Sequence, residues 1–396
     1  MPGPEFCIRP RGAVRRGAAL TFVFVTVLTG AVATDSLPRD ERSAPVRRLA
    51  RTVPATVDRD EVARAAAAAV ADGKSGTKAA EEVVSRSGDR WGAVYARDEF
   101  EEFEQALDGR YTGVGLSARR DAAGRIEIAR VHPGGPADRA GLRPGDRLHA
   151  VDGRPVRGRS VSEVVALLRG DGEGGGGTGA PAGSRVVLDV RRGGHGWTGT
   201  LCRARLATED VTVERLDAEA VRIRVAAFTK GSGERVRDAV RRAPEGAGVL
   251  LDLRGNSGGL VTEAVAAASA FLDGGLVATY DVHGEEKALY AEPGGDTDRP
   301  LVALLDGGTM SAAELLAGAL KDRGRAVTVG ARTFGKGSVQ MPSRLPGGSV
   351  AELTVGHYRT PAGHTVDGRG ITPDLAAGEE AEKRARTVLS GLGDGS

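Results

Sequence analysis

Ser311, Lys336 and Gln340 are the residues of this 396-residue chain whose types and spacing could carry out chemistry. A serine hydroxyl attacks an amide only when a base takes its proton. A lysine serves as that base once it is neutral, yet its ordinary pKa near 10.4 leaves only about 1 in 2,500 neutral at pH 7. Half-neutrality there needs a fall of about 3.4 units, or roughly 4.6 kcal/mol, which burial can supply. Lys336 stands between two glycines in "TFGKGSVQ", and Gln340 follows four residues later. On a strand this even spacing puts both side chains on one face.

The same residues admit a purely structural reading. Ser311-Ala312-Ala313-Glu314 ahead of Leu315, Leu316, Ala319 and Leu320 has the form of a capping box, with Gly324 ending the helix. Such a cap is worth about 1 kcal/mol and involves no chemistry. A lysine flanked by Gly335 and Gly337 reads equally as a solvated turn, although that leaves the apolar neighbours Phe334 and Val339 unexplained. The two readings share one geometry, because a helix start presents free N–H groups that would also suit a developing oxyanion.

The elements around these residues alternate. "VRIRVAAF" reads as a strand, "GERVRDAVRRA" as a helix, "GVLLDLRGNSGG" as a buried strand and turn, "LVTEAVAAASAFL" as a helix and "LVALLD" as another buried strand. The helix at Ser311 follows, then "AVTVG" and "GSVQM" as strands, which is an α/β order. Upstream, "YTGVGLSARR", "GRIEIARV", "GLRPGDRLHAVDGRPV" and "SRVVLDVRR" read as strands separated by Pro/Gly and Asp-Gly turns. "SVSEVVALLRG" reads as a helix capped by Ser160 and Glu163, and the glycine-rich run after it as a surface loop. Residues 57–110 carry helical patterning.

Two resemblances follow from these motifs. The Gly-Val-Gly-Leu loop opening a strand, "GPADRAGLRPGDRLHAVDGRPV" and the short helix after it resemble a PDZ domain over about residues 111–206. That implies capture of a peptide C-terminus as an added strand, its carboxylate cradled by the N–H groups around Gly113, Val114, Gly115 and Leu116. Val161, Val164, Val165 and Leu168 fall at helical spacing and would serve both the core and the peptide groove. Downstream, the serine opening a helix, "TFGKGSVQ" 25 residues on (336 − 311), "DLRGNSGGL" and "GRGITPD" resemble the C-terminal processing peptidases, or tail-specific proteases. This resemblance covers about residues 60–376. It implies Ser311 as nucleophile, Lys336 as general base and Gln340 as its orienting partner. It also implies an oxyanion hole from the N–H of Ala312 with that of Gly258 or its neighbour Gly259. Met310 before the nucleophile, Ala313 for a serine and Asp306 for an asparagine depart from the family pattern and bear on substrate preference.

The whole-chain balance sets the remaining expectations. A net charge of +2 gives no reason to expect a nucleic-acid partner. The six histidines show no metal-ligand spacing, and neither metal nor cofactor is expected. Arg9, Arg11, Arg15 and Arg16 precede an uncharged stretch from Ala18 to Ala33 that ends in Ala-Val-Ala. Residues 1–34 therefore read as an export signal or a membrane anchor, leaving the rest outside the cytoplasm, secreted or membrane-associated. That leaves Cys202 without a partner and reading as a small packed residue. The expected organisation is a linker (35–56), an N-terminal helical region (57–110), a PDZ domain (111–206), an α/β core (207–380) and a C-terminal tail (381–396). The expected partners are proteins or peptides with free C-termini, to be cleaved. A non-catalytic peptide-binding protein of the cell envelope is the alternative.

Overall fold

The computed structural model describes residues 58–121, 123–170, 179–282 and 285–393. The segment read as an export signal or anchor, the linker and most of the glycine-rich run lie outside the described residues.

The α/β core is a six-stranded sheet in the order Val211–Arg215, Ala220–Val225, Gly248–Asp252, Leu301–Leu305, Val327–Gly330, Leu375–Ala376. Only the first pair is antiparallel; Val221 pairs with Val249, Val249 with Leu301 and Val302 with Val327 in parallel register. Parallel strands are covered on both faces, which is why "GVLLD" and "LVALL" are uninterrupted apolar runs. Val249, Leu251, Leu301, Ala303 and Leu305 point to one side, into a core shared with helices Ser232–Arg242, Val261–Ala268 and Ala312–Asp322. Leu250, Val302, Leu304 and Val329 point to the other.

The second face is covered by the segment read from the sequence as a tail. Residues Ala381–Gly393 form a helix whose Ala381, Ala385 and Leu389 bury against those four strand residues. The spacing 381, 385, 389 is one stripe of a helix, and the sheet's exposed apolar face supplies the driving force. Arg222 and Arg254 clamp it through Glu382.

A second sheet pairs Ser338–Arg344 with Val350–Arg359, which runs on to Leu276–Val282 and Glu285–Tyr290. Its outer edge is Ala93–Tyr95, with Ala93 opposite Glu352. The N-terminal helical region is thus not a separate body. Its helices Arg59–Ala71 and Gly76–Arg86 bury Val62, Ala66, Ala80 and Val83 against Leu345, Ala351 and Leu353. Lys336 sits where the chain leaves the first sheet and enters the second, so the site lies between them.

The PDZ-like unit has its own sheet, Leu116–Arg120, Ile126–Val131, Arg147–Val151, Arg185–Arg192 and His195–Cys202, with Arg154–Pro155 at its side. Its core contains Ile128, Leu148, Val151, Val164, Leu168, Val186 and Leu188. The helix Val161–Arg169 is capped as its sequence predicts: Ser160 Oγ accepts from Glu163 N at 3.2 Å, and Glu163 accepts from Ser160 N at 2.6 Å. Cys202 is exposed rather than packed, since the alternation that buries Leu201 turns the next side chain outward.

Candidate active site

Ser311 caps the helix Ala312–Asp322 in a conformation that side chains rarely adopt, with φ +56° and ψ −118°. Residues held in such regions cost about 1–3 kcal/mol, and surrounding contacts must enforce them. Here the enforcing group is the wholly buried Glu314. One carboxylate oxygen accepts from the N–H of Ser311 at 2.9 Å and from that of Lys336 at 2.8 Å. The other accepts from the N–H of Gly335 at 2.7 Å and from the hydroxyl of Thr333. Burial raises the Glu314 pKa, and these four hydrogen bonds oppose the rise. The acid of the predicted capping box is therefore in place, with the Glu314 N–H bonded to the Ser311 carbonyl oxygen, and it does more than cap: it ties the backbone of Ser311 to the backbone of Lys336. Tyr358 adds a second tie. Its buried hydroxyl lies 2.8 Å from the carbonyl oxygen of Ser311 and 3.0 Å from that of Lys336, one donor shared by two acceptors.

Lys336 is fully buried, so the reading of a solvated turn fails. Gly337 explains the tight surroundings, since a Cβ there would fall 2.4 Å from the N of Asp367. The ammonium nitrogen has no hydrogen-bond partner among the described residues, and lies 5.0 Å from the centre of the Trp91 ring. Trp91 in turn packs on Phe334 at 5.7 Å. Burial lowers the Lys336 pKa to about 8, while the charges of Glu352, Asp89 and Glu314 resist the fall. Glu352 is also buried, with neither oxygen hydrogen-bonded among the described residues, and burial raises its pKa to about 8 against the pull of Lys336. Gln340 is buried, its Nε2 donating to Ser338 Oγ at 2.8 Å and to Thr354 Oγ1 at 3.1 Å.

The oxyanion-hole candidates divide. Ala312 N begins the helix and has no hydrogen bond among the described residues. Gly258 is packed against Ser311: a Cβ there would fall 2.9 Å from Ser311 Cβ and 3.0 Å from Met310 O, and its φ is +99°. Its N–H, however, donates to Asn256 Oδ1 at 2.8 Å and is not available to a substrate oxygen in this conformation. Gly259 is held by Phe228, whose carbonyl oxygen a Cβ would strike at 2.3 Å.

Sequence reasoning found Ser311, Lys336, Gln340 and Glu314, but missed Asp89, Trp91, Glu352, Thr354 and Tyr358. Asp89 and Trp91 precede Ser311 by more than two hundred positions, and no local pattern marks them. In the PDZ-like unit, Val114 is buried and Gly115 has φ +76°. Among the described residues the strand Leu116–Arg120 has a strand neighbour on one side only, and the helix Val161–Arg169 packs against this strand. Gly113 pairs with Ala204 in a separate two-stranded ladder. Val164 and Leu168 are core, while Val161 and Val165 stay partly accessible. Among the described residues no group of acidic, histidine or cysteine side chains is placed to hold a metal, and no helix is long and apolar enough to cross a membrane.

Comparison with known proteins places the chain in a family. A family model described as peptidase family S41 matches residues 220–377, and one described as a PDZ domain matches residues 127–174. The chain is 31% identical over 294 residues to the carboxy-terminal processing protease CtpA of Bacillus subtilis, covering 73% of this chain and 61% of that one. It is 32% identical over 306 residues to the carboxyl-terminal-processing protease of Synechocystis sp., covering 75% and 69%. Among solved structures it is similar to a photosystem II D1 C-terminal processing protease, with 28% identity, a TM-score of 0.49, and 80% and 86% covered. The alignment thus spans about three fifths of the Bacillus relative's length.

Proposed function

The chain belongs to peptidase family S41, and on that footing we propose that it is a serine endopeptidase working through Ser311 and Lys336. The observation that carries this is the buried, unpaired Lys336 amine held in one frame with Ser311 through Glu314. The neutral amine takes the Ser311 proton as Oγ bonds to the peptide carbonyl carbon. The oxyanion forms at the helix start beside Ala312 N–H, where unpaired donors and the helix dipole favour negative charge. The Lys336 ammonium then protonates the leaving amine as the C–N bond breaks. A water, deprotonated by the same lysine, hydrolyses the acyl-enzyme. Neither a metal nor a cofactor enters these steps.

The PDZ domain serves as the capture site in this reading. A free C-terminus would add to the edge of Leu116–Arg120 that has no strand neighbour among the described residues, with its carboxylate at the Val114-Gly115-Leu116 turn. The N-terminal segment supports export, with cleavage after Ala33 or retention as an anchor. N-terminal sequencing of the mature protein tests this, and a cytoplasmic protein starting at Met1 would contradict it.

Two substitutions test the chemistry. Ser311→Ala should abolish cleavage of a peptide with a free carboxyl terminus, along with labelling by a serine-reactive probe. Lys336→Arg should lower kcat/KM at least about 100-fold, because guanidinium keeps its proton while general-base assistance is typically worth roughly 10²- to 10⁴-fold. A folded Lys336→Arg protein with near-normal turnover would remove the dyad. A protein that binds C-terminal peptides yet never cleaves them would instead be the non-catalytic binder.

A further inference from the structure

The loop between the second and third N-terminal helices reaches the catalytic lysine from far away in the chain. Asp89 accepts from the backbone N–H of Trp91 at 3.0 Å and of Gly92 at 2.9 Å, which fixes the loop. The same carboxylate crosses to the strand Val350–Arg359, accepting from Thr354 N at 2.8 Å and from Thr354 Oγ1 at 2.7 Å. The Thr354 hydroxyl hydrogen is thus committed to Asp89. Its lone pairs are left to accept, and Gln340 Nε2 fills one at 3.1 Å. The second amide hydrogen of Gln340 goes to Ser338 Oγ at 2.8 Å. Both donors of the amide are spent on these neighbours, so Gln340 Oε1 is its only free valence. That oxygen is buried without a partner, as is Lys336 Nζ, one an acceptor and the other a donor. The same loop lays the Trp91 ring over Lys336 Nζ.

From this ordered chain of donors and acceptors we infer that Asp89 is a positioning residue for the Lys336–Gln340 pair, acting through Thr354. The N-terminal helical unit is then part of the catalytic machinery. A carboxylate only accepts, so it dictates the direction of every hydrogen bond behind it. With Asp89 in place, Gln340 can present only its carbonyl oxygen toward a lysine, which is the end that can hold a protonated or neutral amine. An asparagine at position 89 can accept with one oxygen only. Its NH₂ would face either the Thr354 N–H or the N–H groups of Trp91 and Gly92, so the loop-to-strand contact loosens. The Thr354 hydroxyl is then no longer held as a donor, and the Gln340 amide can turn its own NH₂ toward Lys336. This inference rests on the serine-peptidase reading.

The test uses the protein from residue 35 onward with an internally quenched peptide bearing a free carboxyl terminus, comparing Asp89→Asn, Thr354→Val, Thr354→Ser and Ser311→Ala. Thr354→Val keeps the shape and the backbone contact to Asp89 while deleting the hydroxyl relay; Thr354→Ser keeps the relay. Asp89→Asn and Thr354→Val should lower kcat about 10- to 100-fold, with KM within about twofold, as expected when only the orientation of a general base is lost. Thr354→Ser should retain most of the turnover. If Asp89→Asn fails to fold by circular dichroism, the two Thr354 variants decide. Near-normal kcat in Thr354→Val, or equal losses in Thr354→Val and Thr354→Ser, would overturn the inference while an inactive Ser311→Ala leaves the peptidase reading standing. Full activity in Ser311→Ala would instead remove that reading itself.

Discussion

The pH dependence of cleavage follows from two buried groups of opposite charge. Burial brings the Lys336 pKa down to about 8, so the neutral base should be about one eleventh of the population at pH 7, half at pH 8 and ten elevenths at pH 9. If kcat/KM tracks this fraction, it should rise about five- to sixfold from pH 7 to 8 and less than twofold from 8 to 9. A lysine at its ordinary pKa would instead give roughly tenfold per unit through pH 9. Glu352 sharpens the prediction. Burial pushes its carboxyl up to about 8, and its charge, where present, favours the ammonium form of Lys336. The pair therefore titrates as a unit rather than as two independent groups. Glu352→Gln removes the ionised carboxylate that favours the ammonium. Losing the anion disfavours the ammonium, so the Lys336 pKa falls and the activity rise moves to lower pH. The gain should appear where Glu352 is ionised, at pH 8 and above, and be small at pH 7, where its carboxyl is mostly protonated. The assay is initial velocity on a quenched peptide from pH 6 to 10 at constant ionic strength, with melting recorded at each pH. An unshifted or alkaline-shifted profile in folded Glu352→Gln, or a parent profile still rising tenfold per unit at pH 9, would refute the reasoning.

Three further substitutions probe the frame. Tyr358→Phe strands the buried carbonyls of Ser311 and Lys336, so unfolding free energy should fall by about 1–3 kcal/mol in a urea titration and kcat should fall with it. Leu389→Ala should cost about 2–5 kcal/mol if the last helix belongs to the folded core, and an unchanged urea midpoint would place it outside. Gly115→Glu sets a charge where the substrate carboxylate would dock, at a φ of +76°. Cleavage of free-carboxyl peptides should fall toward the already low rate of their amides, and equal cleavage of acid and amide by the parent protein would exclude carboxylate capture.

How much of this could be read from the sequence depended on how locally each feature was encoded. The buried parallel strands announce themselves as unbroken apolar runs. The helix start at Ser311 carries its own signature within four residues, and Glu314 belongs to it. Lys336 was legible only because glycines on both sides, with apolar Phe334 and Val339 beyond, contradict an ordinary surface turn. The helix after Ala381 was missed because its stripe consists largely of alanines among charges, and only the uncovered face of Leu250, Val302 and Leu304 gives that stripe a purpose. Asp89, Glu352 and Tyr358 were illegible for a different reason. Each is an unremarkable polar residue until a strand pairing brings it beside the lysine. Gly258 shows a finer limit: sequence placed it against Ser311 correctly, but the direction of its N–H depends on the Asn256 side chain.

The link from Asp89 to Thr354 also sets the order in which the molecule can become active. It joins residues 265 positions apart, and the tie that Tyr358 makes to Ser311 spans 47. Closing such long loops is slow and occurs only when most of the chain is available. During synthesis, Ser311 emerges well before the strand Val350–Arg359 that fastens its carbonyl and buries its partner lysine. A chain halted anywhere short of that strand would carry Ser311 and Lys336 without the contacts that bury and tie them. The surroundings that bury Lys336 are therefore complete only once Val350–Arg359 has paired, late in the chain, with only Leu375–Ala376 and the helix Ala381–Gly393 of the described elements still to follow.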